Sequence, residues 1–430
     1  MVPVVPAPAA ATGSYSSGMG ITRRVAVTVS TLLLCVGTSV GASADPISVL
    51  IAPPHDPDLV AATPLGDPWY DPPAGFESTP PGTVLAARPL TVRPLLTPVV
   101  STEVLVRSTD TQGRPVPVVA TVIVPAAPWT GPGPRPVVDY NMAIDSLGNT
   151  CAPSYQMPRG QSLEVVAVQY FLARNYAVVV PDHEGPRQAY AAGRMAGHAV
   201  LDALRAAVGT PALGLTPGAP IAMTGYSGGA IATGWAAQLA PSYAPELNVV
   251  GAAMGGTPAD YRLLLDSLDG KNLASGVLLA ATLGLAREYP ELYPLFNDDA
   301  WRLGYLARDL CLPGFAIPGA VLPIRAEQLS DVPDVLDTPA ARAVLADTRL
   351  GGLAPTAPIL LYHGLHEFWI TRANAEHLQS DWCARGADVR LVELPGEHQI
   401  VALSGIPPAY HWIDARLAGT PVEPGCANVR

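Results

Sequence analysis

Short, continuously apolar segments alternate with helical segments through the middle of the chain, and this alternation limits the possible folds most strongly. The segments that predict buried strands are Tyr176–Pro181, Ile221–Thr224 and Val249–Met254. Gly193–Val208 and Ile231–Leu239 predict the helices between them. Strands that are apolar on both faces and alternate with helices are typical of a parallel sheet covered on both sides. We therefore expect an α/β fold with a mostly parallel central sheet and helices on both faces.

A different pattern precedes this alternation. Val99–Arg107 and Val116–Val124 are rich in β-branched residues and flank a turn that ends in Gly113, which predicts a β-hairpin. Residues 45–98 are rich in proline and largely aperiodic. We interpret them as an N-terminal arm that lies over the body of the protein.

The alternation stops at residue 255 and returns near residue 354. Residues 255–353 contain apolar helical pieces interrupted by proline and glycine, and we interpret them as an inserted helical cap. Strand signals resume with Pro358–Tyr362 and Val389–Leu394. The sequence therefore predicts a core made of residues 99–254 and 354–430, with the cap inserted between its two parts.

The composition excludes several classes of protein. With 49% hydrophobic and 14% charged residues, the chain is too apolar for an intrinsically disordered protein. Its formal net charge of −11 disfavours contact with phosphate backbones, so we expect no nucleic-acid partner. Lys271 is the only lysine, and the sequence contains no run of basic residues that would bind an anionic membrane.

The N-terminal region has the features of a secretory signal peptide. Arg23 and Arg24 precede an apolar stretch, Val25–Gly41, which small residues at positions 42–44 terminate. This order is typical of a cleaved signal, whereas a membrane anchor is disfavoured because the stretch is short and contains Thr and Ser. We expect residues 1–44 to be removed and the protein to be secreted, with association with the cell envelope as an alternative.

Four cysteines remain after the predicted cleavage, and they are Cys151, Cys311, Cys383 and Cys426. In a secreted protein this even number predicts two disulfides, for which three pairings exist. No two of these cysteines have the close spacing of a zinc site. We predict neither a bound metal nor a cofactor.

The pattern G-x-S-x-G occurs at Gly225–Gly229, directly between the predicted strand Ile221–Thr224 and a predicted helix. In such a strand–turn–helix unit the serine occupies a tight turn, and glycines flank it because larger side chains would collide with neighbouring backbone. The N-terminus of the following helix favours the negative charge that develops during acyl transfer. We therefore predict Ser227 as a catalytic nucleophile.

In this type of unit the other catalytic residues follow the serine in the order acid, histidine. His398 comes just after the predicted strand Val389–Leu394, in a loop that we expect to open above Ser227. We predict His398 as the general base. His377 and His411 fall inside predicted helices, where we expect solvent-exposed positions.

The acid should follow the preceding strand, Pro358–Tyr362, and Glu367 is the only carboxylate in the turn after it. A buried carboxylate at this position would hold the tautomer of His398 and stabilise its charged form. Asp381 and Asp388 are the rival acids, but neither comes at the end of a predicted strand. We therefore predict Glu367 as the acid of the triad.

The chain resembles the secretory lipase family of fungi and actinobacteria, the lipase A type within the α/β-hydrolases. The stretches that carry the resemblance are Asp145-Ser146 followed by Cys151–Tyr155, Val180–Gly185, Gly225–Gly229 running into Pro241–Leu247, and Tyr362–Gly364. Two positions depart from the family pattern. Family members usually have aspartate where this chain has Glu367, and proline where it has Thr371.

The resemblance implies an α/β-hydrolase fold and roles for further residues. Gly228 matches the residue after the nucleophile, whose backbone N–H donates to the oxyanion. Asp145 matches an aspartate that contributes the second oxyanion donor. Ser227 and His398 match the family's nucleophile and base.

The resemblance also implies how the cysteines pair and what the cap does. Cys151 would pair with Cys311, which ties the cap to the body, and Cys383 would pair with Cys426. Residues 255–353 match a cap that covers a tunnel for acyl chains.

We therefore predict a secreted serine esterase or lipase that cleaves triacylglycerols or other fatty-acyl esters through an acyl-enzyme intermediate. The apolar cap favours acyl chains over peptides as substrates. One alternative is a short-chain carboxylesterase, and another is an inactive secreted binding protein, suggested by Glu367 in place of aspartate. We expect a monomer whose partner is a lipid or other ester, with transient contact to a lipid interface.

Overall fold

The computed structural model describes residues 51–272 and 274–429, so the predicted signal peptide at residues 1–44 lies outside the described part of the chain. None of the helices in this described part combines the length and apolarity needed to cross a bilayer.

The described residues form a ten-stranded sheet. Its strands are β1 Val84–Pro89, β2 Val99–Thr109, β3 Pro115–Pro125, β4 Val137–Asn141, β5 Ala177–Pro181, β6 Ile221–Tyr226, β7 Val249–Gly255, β8 Ile359–Gly364, β9 Val389–Leu394 and β10 Cys426–Val429. Their spatial order is β1-β2-β3-β5-β4-β6-β7-β8-β9-β10. The pairs β1–β2, β2–β3 and β3–β5 are antiparallel, and every other pair is parallel. The prediction of a mostly parallel central sheet is confirmed.

Helices connect the parallel strands. They are α1 Pro153–Gln156, α2 Val165–Leu172, α3 Gly193–Gly209, α4 Gly228–Tyr243, α5 Tyr261–Leu268, α6 Ser275–Ala286, α7 Asp298–Ala307, α8 Leu312–Val321, α9 Pro339–Asp347, α10 Arg372–Ala384, α11 His398–Ser404 and α12 Ile406–Leu417. Helices α5 to α9 all lie between β7 and β8. This helical insertion occupies the range that the sequence predicts as a cap.

Two apolar cores lie on opposite faces of the sheet. Successive strand residues alternate between them, so that Val179 and Ile221 belong to one core and Val178 and Ala222 to the other. Helices α3, α4 and α10 contribute to the first core, and α2 and α12 contribute to the second. Both faces of the strands are therefore buried, which is why their sequences are continuously apolar.

Small residues in α3 allow it to pack closely against α4. A Cβ atom on Gly193 would lie 2.0 Å from Nε1 of Trp235, and one on Gly197 would lie 2.9 Å from Cδ1 of Leu239. A larger side chain at Gly193 would therefore displace α4. Because α4 begins directly after Ser227, this packing helps to fix the position of the serine.

Two strands at the edges of the sheet are not predicted by the sequence pattern. Val84–Pro89 lies within the Pro-rich range 45–98 and pairs with β2, so this range is not aperiodic throughout. Cys426–Val429 extends the other side of the sheet by pairing with β9. None of the residues in these two strands is buried, which removes the apolar signal that identifies the central strands.

Within the described residues two disulfides form, Cys151–Cys311 and Cys383–Cys426, the pairing that the resemblance implies. The first joins the segment after β4 to the start of α8 and so connects the core to the helical insertion. The second joins α10 to the edge strand β10.

Candidate active site

The turn at Ser227 has the backbone geometry of a nucleophile elbow. Ser227 lies between β6 and α4 with φ of 54° and ψ of −118°, and a positive φ is uncommon for a residue with a side chain. A Cβ atom on Gly225 would lie 2.3 Å from the carbonyl oxygen of Gly229, and one on Gly229 would lie 2.0 Å from that of Asn141. Because of these close approaches, both positions require glycine. Ser227 directly follows β6 and therefore lies at the carboxyl edge of the sheet.

The three predicted triad residues form a continuous hydrogen-bonded chain. The Oγ atom of Ser227 lies 3.0 Å from Nε2 of His398, and Nδ1 of His398 lies 2.8 Å from Oε2 of Glu367. His398 is buried, and the side chain of Glu367 is fully inaccessible. The structure thus brings together a hydroxyl, an imidazole and a carboxylate in the order needed for nucleophilic catalysis.

Glu367 is held by its own turn as well as by His398. Its Oε1 atom accepts hydrogen bonds from the backbone N–H groups of Trp369 at 2.8 Å and Ile370 at 3.3 Å, which leaves Oε2 for the imidazole. Burial alone would raise the pKa of Glu367, but the contacts with His398 and the two amides outweigh it and lower the pKa. The group is therefore a charged carboxylate at neutral pH.

Two aromatic rings enclose the imidazole of His398. The Trp369 ring stacks on it with centroids 5.1 Å apart and an interplanar angle of 11°. The Tyr226 ring lies 5.0 Å away at 46°, and its hydroxyl donates a 2.6 Å hydrogen bond to the carbonyl oxygen of His398. These contacts restrict rotation of the imidazole and so keep both ring nitrogens within hydrogen-bond distance of their partners.

Asp145 lies beside the nucleophile turn, where the resemblance assigns an oxyanion donor. It is buried and has a positive φ of 46°. A Cβ atom on Gly228 would lie 1.6 Å from Oδ1 of Asp145, so the carboxyl group closely approaches the first residue of α4. Burial raises the pKa of Asp145 to about 6, although His398, the Tyr190 hydroxyl and the Gly228 amide act in the opposite direction.

The loop that carries Asp145 is fixed by buried polar groups on either side of it. The N–H of Ser146 donates to Oε1 of Glu184 at 3.3 Å. The N–H of Leu147 donates to the carbonyl oxygen of Leu310 at 3.1 Å, and Arg287 donates to the Leu147 carbonyl at 2.6 Å. Leu310 and Arg287 belong to the helical insertion, so the insertion helps to position the Asp145 loop.

The other histidines and aspartates considered for the triad lie away from Ser227 or outside its hydrogen-bonded chain. His377 and His411 are exposed on helices, as predicted. Asp381 forms an ion pair with Arg349, and Asp388 accepts a hydrogen bond from the N–H of Gly425.

Several residues around the site are not predicted from the sequence. Tyr226 and Trp369 lie next to predicted residues in the sequence, so their proximity to the site could have been inferred, but not their contact with one imidazole ring. Tyr190 and Arg287 come from distant segments, and no motif in the sequence identifies them. Glu184 lies within the Val180–Gly185 stretch that the resemblance singles out, without an assigned role.

Comparisons of the sequence with a family model and with curated proteins indicate the same family. Residues 159–425 match the model of a family described as secretory lipase. Among curated relatives, the chain is 34% identical over 86% of both chains to a protein named probable inactive lipase, from Mycobacterium tuberculosis. It is 33% identical to Lipase 4 of Candida albicans, over 89% of this chain and 88% of that one. It is also 32% identical to a secreted triacylglycerol lipase of Malassezia restricta, over 84% and 81% of the two chains.

The fold is also similar to solved structures of lipases and esterases. The closed state of Candida antarctica lipase A superposes with a TM-score of 0.78 at 27% identity, covering 86% of this chain and 90% of that one. The esterase LipA of Xanthomonas oryzae shares the fold, with a TM-score of 0.61 at 18% identity over 80% of this chain and 97% of that one. Together with the match to the family model, these similarities show that the chain belongs to the secretory lipase family.

Proposed function

We propose that this protein is a secreted serine hydrolase that cleaves fatty-acyl esters, with triacylglycerols as the principal substrates. The observation that carries the proposal is the hydrogen-bonded chain from Ser227 through His398 to Glu367, with distances of 3.0 and 2.8 Å. The relatives named lipases support the same reaction class.

In the proposed acylation step, Oγ of Ser227 attacks the ester carbonyl carbon while Nε2 of His398 accepts the hydroxyl proton. Glu367 stabilises the imidazolium that forms. Two groups stabilise the negative oxygen of the tetrahedral intermediate, and they are Asp145 and the backbone N–H of Gly228. The intermediate then collapses, the ester C–O bond breaks, and His398 gives its proton to the departing alcohol.

Deacylation repeats the same sequence with water. His398 removes a proton from a water molecule, which attacks the acyl carbon bound to Ser227, and the fatty acid leaves as the proton returns to the serine oxygen. The contacts of Trp369 and Tyr226 with the imidazole hold its position through both halves of the reaction. The ester and one water molecule balance the two steps together, with His398 carrying the proton in each.

The helical insertion supports acyl chains as the recognised part of the substrate. Helix α6, Ser275–Ala286, is composed almost entirely of small and apolar residues, and α8, Leu312–Val321, has no polar side chain. We propose that these helices line the path of the acyl chain, because the hydrophobic effect favours its burial against apolar side chains. A short-chain carboxylesterase would share the triad but would gain less from such walls.

We also propose that residues 1–44 are removed and that the mature protein acts outside the cell as a monomer. The two disulfides support this location, because such bonds persist in oxidising compartments.

An inactive protein is the second candidate function, because one relative is named a probable inactive lipase. In this chain the carboxylate of Glu367 reaches His398 despite the departure from the family's aspartate. The low pKa of Glu367 keeps it charged, as an active triad needs. These two observations favour catalysis over loss of activity.

A fluorophosphonate probe, triolein and a series of p-nitrophenyl esters test the proposed function. We expect the probe to label the wild-type protein at Ser227, since it reacts only with an activated serine. We expect hydrolysis of triolein, and faster turnover of long-chain than of short-chain p-nitrophenyl esters. Activity confined to the shortest esters would support the carboxylesterase alternative, and absence of labelling would support the inactive one.

The pH dependence of an Asp145→Asn variant tests how Asp145 acts on the oxyanion. With its pKa raised to about 6, Asp145 is a neutral hydrogen-bond donor below pH 6 and a carboxylate above it, whereas an asparagine amide donates at every pH. We expect kcat/KM of wild type relative to Asp145→Asn to fall by up to about tenfold per pH unit above pH 6.

This ratio is informative because any pH effect common to the two proteins cancels. Asp145→Ala, which has no side-chain donor, serves as the control and should lose about 10²–10³-fold in kcat at low pH. A ratio that does not change between pH 5 and 8 would show that the carboxyl proton of Asp145 takes no part.

A further inference from the structure

The indole ring of Trp369 is stacked on the imidazole of the triad. The two ring centroids are 5.1 Å apart and the ring planes differ by 11°, so the π-system of the indole is parallel to the imidazole. His398 is buried, with 2% of the residue exposed. Because little water reaches the imidazole, an electrostatic interaction between the two rings is only weakly screened.

The backbone of Trp369 makes the hydrogen bonds of this residue, and its side chain makes the ring contact. The backbone N–H donates to Oε1 of Glu367 at 2.8 Å, and the backbone carbonyl accepts from Oγ of Ser267 on α5 at 3.0 Å. Nε1 of the indole is inaccessible and has no hydrogen-bond partner within the described part of the chain. An exchange of the side chain at position 369 therefore leaves both backbone hydrogen bonds available and removes the stacked ring.

The imidazole of His398 changes its charge in the reaction proposed above. Its Nε2 atom, 3.0 Å from Oγ of Ser227, accepts the serine proton, and its Nδ1 atom lies 2.8 Å from Oε2 of Glu367. The carboxylate thus contacts the edge of the ring, and the indole contacts its face. The face of an indole is electron-rich and attracts a cation within about 6 Å of its centroid. The neutral imidazole has no net charge, so this attraction is stronger in the transition state than in the ground state.

The other ring beside the imidazole has a different geometry. The ring of Tyr226 lies 5.0 Å from that of His398 but is tilted by 46°, and its hydroxyl donates a 2.6 Å hydrogen bond to the His398 carbonyl oxygen. It also stacks on Tyr362, with centroids 5.8 Å apart and an angle of 30°. These contacts hold the backbone and ring of His398 in place. The parallel face that a cation–π interaction uses is supplied by Trp369.

We propose that the indole face of Trp369 stabilises the charged form of His398 by a cation–π interaction and so lowers the barrier of ester hydrolysis, alongside the carboxylate of Glu367. This inference deepens the proposed function and rests on it, because His398 becomes a cation when it accepts the proton of Ser227. No atom or electron passes between the two rings. Trp369 remains neutral in both acylation and deacylation.

A purely steric role for Trp369 is the alternative, in which the ring fills space beside the imidazole and restricts its rotation. Both roles predict that removal of the ring slows the reaction. They differ in their response to the electron density of the ring, because a steric contact depends on shape and a cation–π interaction depends on the negative potential of the ring face. A test must therefore change the electron density of the indole while its shape is kept.

Fluorinated tryptophans at position 369 provide this test, because fluorine withdraws electrons from the indole with little change in its shape. Mono-, di- and trifluorotryptophan are introduced by amber suppression, and hydrolysis of p-nitrophenyl butyrate is measured. We expect log kcat to fall linearly with the number of fluorine atoms, to about a tenfold loss for the trifluoro protein, with KM within about twofold of wild type. The control is the same series at Trp382, a buried residue of α10 in the first core, where kcat should stay within about twofold.

Exchanges to natural residues complete the series. Trp369→Phe keeps a weaker aromatic face and should lose about threefold in kcat, whereas Trp369→Leu has no such face and should lose about 30-fold. The rate of fluorophosphonate labelling should follow the same order, because attack on phosphorus also transfers the Ser227 proton to His398. Thermal unfolding of each protein shows whether its fold is kept, and we expect the fluorinated proteins to unfold at the wild-type temperature.

Three results would overturn the cation–π proposal while the proposed function stands. One is an unchanged kcat across the fluorinated series with a slow Trp369→Leu variant, which would assign a purely steric role to the ring. Another is an equally steep series at Trp382, which would show a general effect of fluorine. The third is a loss confined to KM, as for a residue that contacts the substrate in the ground state. A wild-type protein that neither hydrolyses esters nor reacts with the fluorophosphonate would instead overturn the proposed function, and this inference with it.

Discussion

Replacing Ser227 with alanine is expected to lower kcat for p-nitrophenyl butyrate by about 10⁶-fold, because the variant has no nucleophile and His398 has no proton to accept. The residual rate should come from the oxyanion donors and from substrate binding alone. Because Ser227 and His398 act as one unit, the double variant Ser227→Ala/His398→Ala should be no more than about threefold slower than Ser227→Ala. Steady-state kinetics of the four proteins in this cycle provide the measurement.

Ser242→Ala is a matched control for the Ser227 exchange, since Ser242 lies on the same helix, α4, and donates to the carbonyl oxygen of Leu239. We expect it to retain at least half of the wild-type kcat. Alanine fits the backbone of residue 227 as well as serine does, so thermal unfolding of both variants should resemble wild type. Effects of Ser227→Ala and His398→Ala that multiply in the double variant would contradict a shared proton transfer.

The central part of the fold and the Ser227 turn follow from local sequence signals. A strand buried on both faces requires a continuous apolar sequence, and the elbow requires Gly225 and Gly229 because backbone atoms approach both positions closely. These requirements act within a few residues and are therefore visible in one sequence. Local sequence also predicts Glu367, because it is the only carboxylate in the turn after β8.

Contacts between distant segments could not be predicted in this way. Arg287 donates hydrogen bonds to the carbonyl oxygens of Leu147, Gln188 and Val60, and nothing in its local sequence indicates these acceptors. The edge strands β1 and β10 contain no buried residue, so their pairing depends on backbone hydrogen bonds that leave no apolar pattern. Their position is set by the completed sheet rather than by their own residues.

Replacing Glu367 with glutamine is expected to lower kcat/KM by about 10⁴-fold, the second-largest effect among these variants. Oε1 of a glutamine can still accept the N–H groups of Trp369 and Ile370, but its NH₂ group would then face Nδ1 of His398. Only an unprotonated Nδ1 can accept from that NH₂ group, so the neutral imidazole would carry its proton on Nε2. It could then no longer accept the proton of Ser227.

Two further exchanges define what the carboxylate contributes. Glu367→Asp keeps the charge but shortens the side chain by one methylene, and a misplacement of about 1 Å should lower kcat/KM by about 10²-fold. Glu397→Gln is the matched control, because Glu397 precedes His398 but its carboxylate accepts from the N–H groups of Gln399 and Ile400. It should stay within about threefold of wild type. If Glu367→Gln lost no more activity than Glu397→Gln, another group would orient the imidazole. If Glu367→Asp were faster than wild type, the longer glutamate would be a weaker acid component than the aspartate usual in this family.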